Sequence, residues 1–273
     1  MTGSWAAGNN ASLDVLHQVQ GSLTVAMIMA PRMDLMTCQP EDLLPGVVAE
    51  NTEFFSYIPV VNEDDHIIGL LRAEEWFLAD PPSCTVADVF EPLSERQVIG
   101  SDASIFDFII TADDRPIRLV VSGGKVSGLV SLSDLQQLPV RAALFTLVTS
   151  LEIVMAEVIT RHWERPEDWM SQLSELRQGQ LQDLIVAAKA RDGFVGEIAY
   201  TQFGDKKSLI GKGGFLSRSK TKALESLRKI QQLRDDLAHA NFYANSPDQA
   251  RHVCDVVRDI LVVKTELLER LSE

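Results

Sequence analysis

The feature that most constrains this chain is a segment that occurs twice in its first half. Tyr57-Ile-Pro-Val-Val61, a turn at Asn62 to Asp65 and His66-Ile-Ile-Gly-Leu-Leu-Arg72 read as strand, turn, strand, with a helix from Ala73. Ile117-Arg-Leu-Val-Val-Ser122, a tight turn at Gly123-Gly124 and Val126-Ser-Gly-Leu-Val-Ser131 read the same way. Gly69 and Gly128 fall at matching places (128 − 69 = 59), and helical stretches at residues 41–53 and 102–113 precede the two copies. A unit of about 60 residues buries too little apolar surface to stand alone, so two copies packed together are expected.

Those residues resemble a tandem pair of CBS domains, a Bateman module, over residues 20–140, with repeats at 20–81 and 82–140 behind a polar segment 1–19. Ala26-Met-Ile-Met-Ala-Pro-Arg32 and Val86-Ala-Asp-Val-Phe-Glu-Pro92 resemble the family's two leading segments. The resemblance implies an adenine nucleotide (ATP, ADP or AMP) as regulatory ligand. The family's binding pattern is matched by Gly128-Leu-Val-Ser131-Leu-Ser-Asp134 in the second copy. There Asp134 would accept from the ribose hydroxyls, Ser131 and free amides would meet a phosphate, and Gly128 would leave room for a close approach. Ser131-x-x-Asp134 before an apolar run is equally a helix capping box that needs no ligand. The first copy has Arg72 and Glu75 at the equivalent positions. Glu75 is expected to hold a ribose, and Arg72 either to meet a phosphate or to block it.

From Pro139 the pattern changes. Leu144, Leu147, Val148, Leu151, Val154, Met155 and Val158 recur at helical spacing, and Glu152 and Glu157 interrupt the apolar run, which argues against a membrane span. A half-buried carboxylate there needs a cation, and Arg234 is the expected mate. Pro166-Glu-Asp opens the next periodic stretch and Gly193 closes it. Residues 198–217, with four glycines, read as a flexible basic loop. Ile210-Gly-Lys-Gly-Gly214 contains the Gly-x-x-Gly of KH domains, but the helix that follows does not fit their element order, and a phosphate loop is excluded by the glycine spacing and the lack of Ser or Thr after Lys212. Residues 217–234 read as helix, and a last helix runs from Pro247 to Leu271. Trp163 and Trp169 are assigned to packing, and His252 to a solvated surface.

The chemistry-bearing pair is Arg234 and His239, separated by Asp-Asp-Leu-Ala. A planar, permanent cation suits a phosphate, and a histidine trades protons near neutral pH, so the two suit phosphodiester cleavage. Five residues on a helix set them about 140° apart, which asks for a swing of the arginine or a second surface. Alternatively Arg234 serves a carboxylate on a neighbouring helix and His239 the helix dipole.

Arg-x4-His late in an all-helical segment, residues 141–273, resembles the HEPN family. That resemblance implies a metal-independent endoribonuclease on single-stranded RNA, built as a homodimer with the paired motifs in one cleft. Asp235 stands where nucleolytic members often carry asparagine.

Charge divides along the same line. Residues 1–140 hold 6 Lys+Arg and 20 Asp+Glu, the whole of the net −14, while residues 141–273 hold 19 of each. Residues 203–234 carry nine basic side chains against Asp205 and Glu225, and Lys206, Lys207, Lys212, Lys220 and Lys222 are the candidate RNA contacts. Cys38, Cys84 and Cys254 are scattered, so neither a disulfide framework nor a zinc site is indicated, and no metal is required. No signal pattern opens the chain, and a cytoplasmic protein off the membrane is expected. The expected architecture is α+β: a nucleotide-sensing pair followed by a bundle of four or five helices. It regulates a ribonuclease, or it is a non-enzymatic sensor whose helices dimerise or dock a partner.

Overall fold

The structure, a computed structural model, describes Leu16, residues 18–191 and residues 196–272. The expected helix closure at Gly193 and most of segment 1–19 lie outside the described residues. The chain divides into two compact units. One is residues 23–137; the other runs from Leu138 on and includes the described residues before Leu23.

In the first unit each copy contributes an antiparallel hairpin: β2 (Ile58–Val61) with β3 (Ile67–Leu71), and β6 (Ile117–Ser122) with β7 (Lys125–Ser131). A lone hairpin exposes an edge, and here the other copy's leading segment covers it. β1 (Ala30–Pro31) pairs with β7, placing Pro31 opposite Gly128, and β4 (Glu91–Pro92) pairs with β3, placing Pro92 opposite Gly69. The exchange recurs in two isolated bridges, Thr24 to Ser104 and Leu43 to Thr85, whose members are displaced equally (85 − 24 and 104 − 43 are both 61). β5 (Val98–Gly100) runs parallel to β6, completing the order β1-β7-β6-β5 beside β2-β3-β4. Val61, Ile67 and Leu70 of one hairpin share a buried cluster with Ile117, Leu119 and Leu129 of the other, so neither copy has a finished core alone.

The flanking helices are shorter than the sequence suggests: α1 is Leu44–Glu50 and α2 is Ile105–Ile109. Ser104 caps α2, its Oγ accepting from the Phe106 amide at 3.2 Å while Asp107 accepts from the Ser104 amide at 3.0 Å. The helix expected from Ala73 is a single 3-10 turn, Ala73–Trp76, and its counterpart is Leu132–Gln136. In the first copy Pro81 and Pro82 follow closely and bar continuation.

The helical unit is arranged on α3 (Leu138–His162), whose buried residues include Leu144, Leu147, Leu151, Val154 and Val158. α3 has the length and apolar character of a membrane-crossing helix. Here it packs on α6 (Phe203–Gly213), α7 (Lys220–Ala238) and α8 (Pro247–Ser272). The periodic stretch from Pro166 is broken into α4 (Pro166–Met170) and α5 (Glu175–Lys189), because Ser174 takes an extended backbone and starts a new helix. The described residues thus hold four long helices with α4 and α6 between them, where four or five helices are expected in all.

The basic loop expected at residues 198–217 is corrected: most of it is α6. Asp205 anchors the first turn, accepting from the Gln202 amide at 2.8 Å and forming a buried bidentate pair with Arg177. Two of the glycines that suggested a loop permit close packing instead. A Cβ on Gly211 would stand 2.6 Å from Leu224, and one on Gly213 2.1 Å from the Phe215 ring. Gly214, with φ of 66°, ends the helix in the left-handed conformation.

Candidate functional sites

Arg234 and His239 lie at the end of α7. Leu233 and Leu237 face the core, Arg234 is half-exposed, and His239 is the exposed C-cap, its amide donating to the Asp235 carbonyl at 3.0 Å. Arg234 pairs with Asp235 at 3.0 Å. The expected mate is therefore corrected. Glu152 is held at 2.9 Å by Lys206, whose ammonium also donates to the Thr201 carbonyl at 2.9 Å. A half-buried carboxylate on α3 takes its cation from the facing helix α6, and Arg234 stays at the rim. Glu157 is half-buried and forms no ion pair among the described residues.

The turn after α7 is held from α3. Arg141 donates to the carbonyls of Asp236 at 3.2 Å, Leu237 at 3.0 Å and Asn241 at 2.6 Å, and lies 5.0 Å from the centre of the Tyr243 ring. It satisfies carbonyls that the helix end leaves open and sets a cation at the negative end of the dipole. Burial pushes the Tyr243 phenol up to about 12. Ala240 has φ of 54°, a left-handed conformation that costs an alanine about 1–2 kcal/mol. Sequence reading missed Arg141. Its signal is a single cation in the apolar start of α3, Leu138-Pro-Val-Arg-Ala-Ala-Leu144.

The five lysines separate. Lys206 is buried in its pair with Glu152, which corrects its assignment as an RNA contact. Lys207 is half-buried and donates to Gln231 at 2.7 Å, one turn before Asp235, and Lys212 donates to the Gln172 carbonyl. Lys220 and Lys222 are exposed in the first turn of α7. Lys220 precedes His239 by 19 positions of helix, roughly 28 Å at 1.5 Å per residue, so within one chain these two lysines lie far from His239.

In the second copy Asp134 is fully engaged. One carboxylate oxygen accepts from the Ser131 amide at 2.6 Å and its hydroxyl at 3.2 Å, and the other from the Gln137 side chain at 2.7 Å. Gln137 also donates to the Ile28 carbonyl at 2.7 Å. This is the capping box left open by the sequence. Burial pushes the Asp134 carboxyl up, against these hydrogen bonds that pull it down. The room expected at Gly128 for a ligand is corrected: it is filled by β1, since a Cβ there would stand 2.3 Å from the Ala30 carbonyl oxygen.

In the first copy Arg72 and Glu75 are exposed and lie 3.6 Å apart, and Arg72 also meets Glu74 at 3.4 Å. Arg118 on β6 was not singled out by the sequence. It is buried where β2 has Ile58, each standing two residues before the residue that pairs with the hairpin glycine. It donates to the Arg96 carbonyl at 2.7 Å and the Thr111 hydroxyl at 2.9 Å. Its signal is a single cation in the otherwise apolar run Ile117-Arg-Leu-Val-Val121. Among the described residues no group of His, Cys, Asp and Glu side chains is placed to hold a metal.

No family model matches the chain, and no curated protein matches it. Solved structures do resemble it in part. The CBS domain of the bacterial CNNM/CorC family Mg2+ transporter in complex with ATP is 24% identical, covers 46% of this chain and 92% of its own, and has a TM-score of 0.37. CBSX2 in complex with AMP is 19% identical over 44% of this chain and 96% of its own, with a TM-score of 0.36. A conserved protein domain from Neisseria meningitidis is 18% identical over 47% of this chain and 98% of its own, with a TM-score of 0.37.

Proposed function

We propose that this chain is a cytoplasmic, nucleotide-regulated ribonuclease: a tandem CBS pair senses ATP, ADP or AMP, and a HEPN-type helical unit cuts single-stranded RNA without a metal. The observation that supports the catalytic half is the placement of Arg234 and His239 at the open end of α7. The part-buried ion pairs between helices are completed by other residues, Lys206 with Glu152 and Arg177 with Asp205. Arg234 is thus not consumed by the core.

In the proposed reaction His239 withdraws the proton of a ribose 2′-hydroxyl, and that oxygen attacks the adjacent phosphorus. Arg234 stabilises the charge building on the non-bridging oxygens. The 5′-oxygen leaves with a proton from solvent or from a second imidazolium, giving a 2′,3′-cyclic phosphate and a 5′-hydroxyl end. Because the two side chains leave one helix about 140° apart, a homodimer that brings two copies of the motif together supplies the missing geometry.

For the regulatory half, the support is the exchange of leading segments between two hairpins, with Ser131 and Asp134 at the end of β7. A nucleotide ribose would take Asp134 from Gln137. Isothermal titration of the full chain with ATP, ADP and AMP tests this: Asp134→Ala should lose binding of the preferred nucleotide while Glu75→Gln loses little. Equal binding by both variants and wild type would remove Asp134 from the site.

The second reading is a non-enzymatic nucleotide sensor whose helices dimerise or dock a partner. The 3.0 Å pairing of Arg234 with Asp235 favours it, since that carboxylate competes with a phosphate for the guanidinium.

A further inference from the structure

The turn that carries His239 presents one bare aromatic ring. Phe242 is 74% exposed, while its successors Tyr243 and Ala244 are 6% and 4% exposed. Its predecessor is equally fixed: the Asn241 amide donates to the Asp236 carbonyl at 2.9 Å, its side chain to the Asp236 carboxylate at 3.2 Å, and its carbonyl accepts from Arg141. Arg141 lies over Tyr243 on the far side. Phe242 therefore stands between two pinned residues on a turn whose left-handed Ala240 is held in place by the same contacts.

An isolated exposed phenylalanine is ordinary on a protein surface. This one differs in its position and its support. It follows His239 by three positions, a backbone span of at most about 11 Å. Its backbone is ordered before any ligand arrives, so a partner that stacks on the ring does not have to order the turn. The nearby charges are mixed: Arg234 is a cation and Asp235 and Asp236 are carboxylates, with Asp236 taken up by Gln232 and Asn241.

We infer that Phe242 is a platform for an unpaired nucleobase of the RNA, setting both the preference for single strands and the register of the phosphate offered to Arg234 and His239. The inference rests on the ribonuclease reading above. A base in a duplex has both faces occupied by its neighbours, so a single protruding ring selects strands whose bases are free.

The test is anisotropy of labelled single-stranded oligoadenylate and of a duplex RNA of equal length, using full-length His239→Ala as the uncleaving parent. Phe242→Ala in that background should weaken single-strand binding about tenfold and duplex binding less than twofold, with melting temperature and sedimentation unchanged. Phe242→Trp should retain binding, with emission quenched on adding RNA. Single-strand binding within twofold of the parent would overturn the inference, as would equal losses for both RNAs. A changed sedimentation coefficient in Phe242→Ala would also overturn it, by making the ring a contact between copies. If the parent binds the single strand and Phe242→Ala does too, the inference falls alone; a parent that binds neither RNA takes the ribonuclease reading with it.

Discussion

Gly69 and Gly128 set how near two stretches of chain can come. At Gly128 a methyl group would meet the Ala30 carbonyl at 2.3 Å, and at Gly69 the Glu91 carbonyl at 2.3 Å, so each glycine admits the other copy's leading strand. Gly128→Ala should lower the urea midpoint by an amount equivalent to about 1–3 kcal/mol. Gly46→Ala, in α1 with nothing within 4 Å of the new atom, should raise it by about 1 kcal/mol. Opposite signs from one substitution type check the packing directly. The sequence marked Gly128 as a place needing room, but a pattern of residue types cannot say whether backbone or ligand fills that room.

Cys38 gives a pH prediction at the same scale. Burial, with Asp42 beside it, pushes its thiol from 9.0 up to about 12. The folded chain keeps the proton where the unfolded chain has lost it, so this stabilising contribution is complete below pH 9 and is lost as pH rises from 9 towards 12. Urea midpoints at pH 8 and 10.5 should fall more in wild type than in Cys38→Ala. A thiol reagent at pH 8 should leave Cys38 unmodified until the protein unfolds; prompt labelling in the native state would contradict its burial.

Elements with strong periodicity were legible: α3, α7, α8 and both hairpins stand close to where the apolar spacing puts them. α6 was not, because four glycines in residues 198–217 lower helix propensity, and the compensation includes packing of Gly211 on Leu224 of the next helix, which no local pattern carries. The partner of Glu152 is hidden with it, since Lys206 lies in that glycine-rich segment. That ion pair is testable at the scale of the α3–α6 contact. Glu152→Ala strands a buried ammonium and should cost about 3–5 kcal/mol in urea unfolding, whereas Glu152→Ala combined with Lys206→Met should recover most of the loss. An additive double variant would show that the two side chains do not act as a pair. The Arg141 clasp was hidden for the same reason, its partners being carbonyls 95 to 100 residues away.

At the scale of the whole molecule the acidic charge and the candidate chemistry are segregated. The first half carries the entire net −14, and the second is balanced, with Arg234 and His239 at a helix end that the core leaves open. The repeat was legible as two hairpins, but the crossing of leading segments was not, because the glycines that admit the leading strands do not say which distant strand fills the room. α3 begins at the residue after Gln137, whose side chain donates to Asp134.

The most direct measurement is cleavage of mixed single-stranded RNA by the purified chain in EDTA, with and without ATP, ADP or AMP, beside His239→Ala. The account predicts a nucleotide-dependent cut leaving cyclic phosphate ends, lost in His239→Ala with its melting temperature unchanged. Wild type and variant equally inert under every nucleotide condition, with nucleotide binding intact, would contradict it and leave the sensor reading.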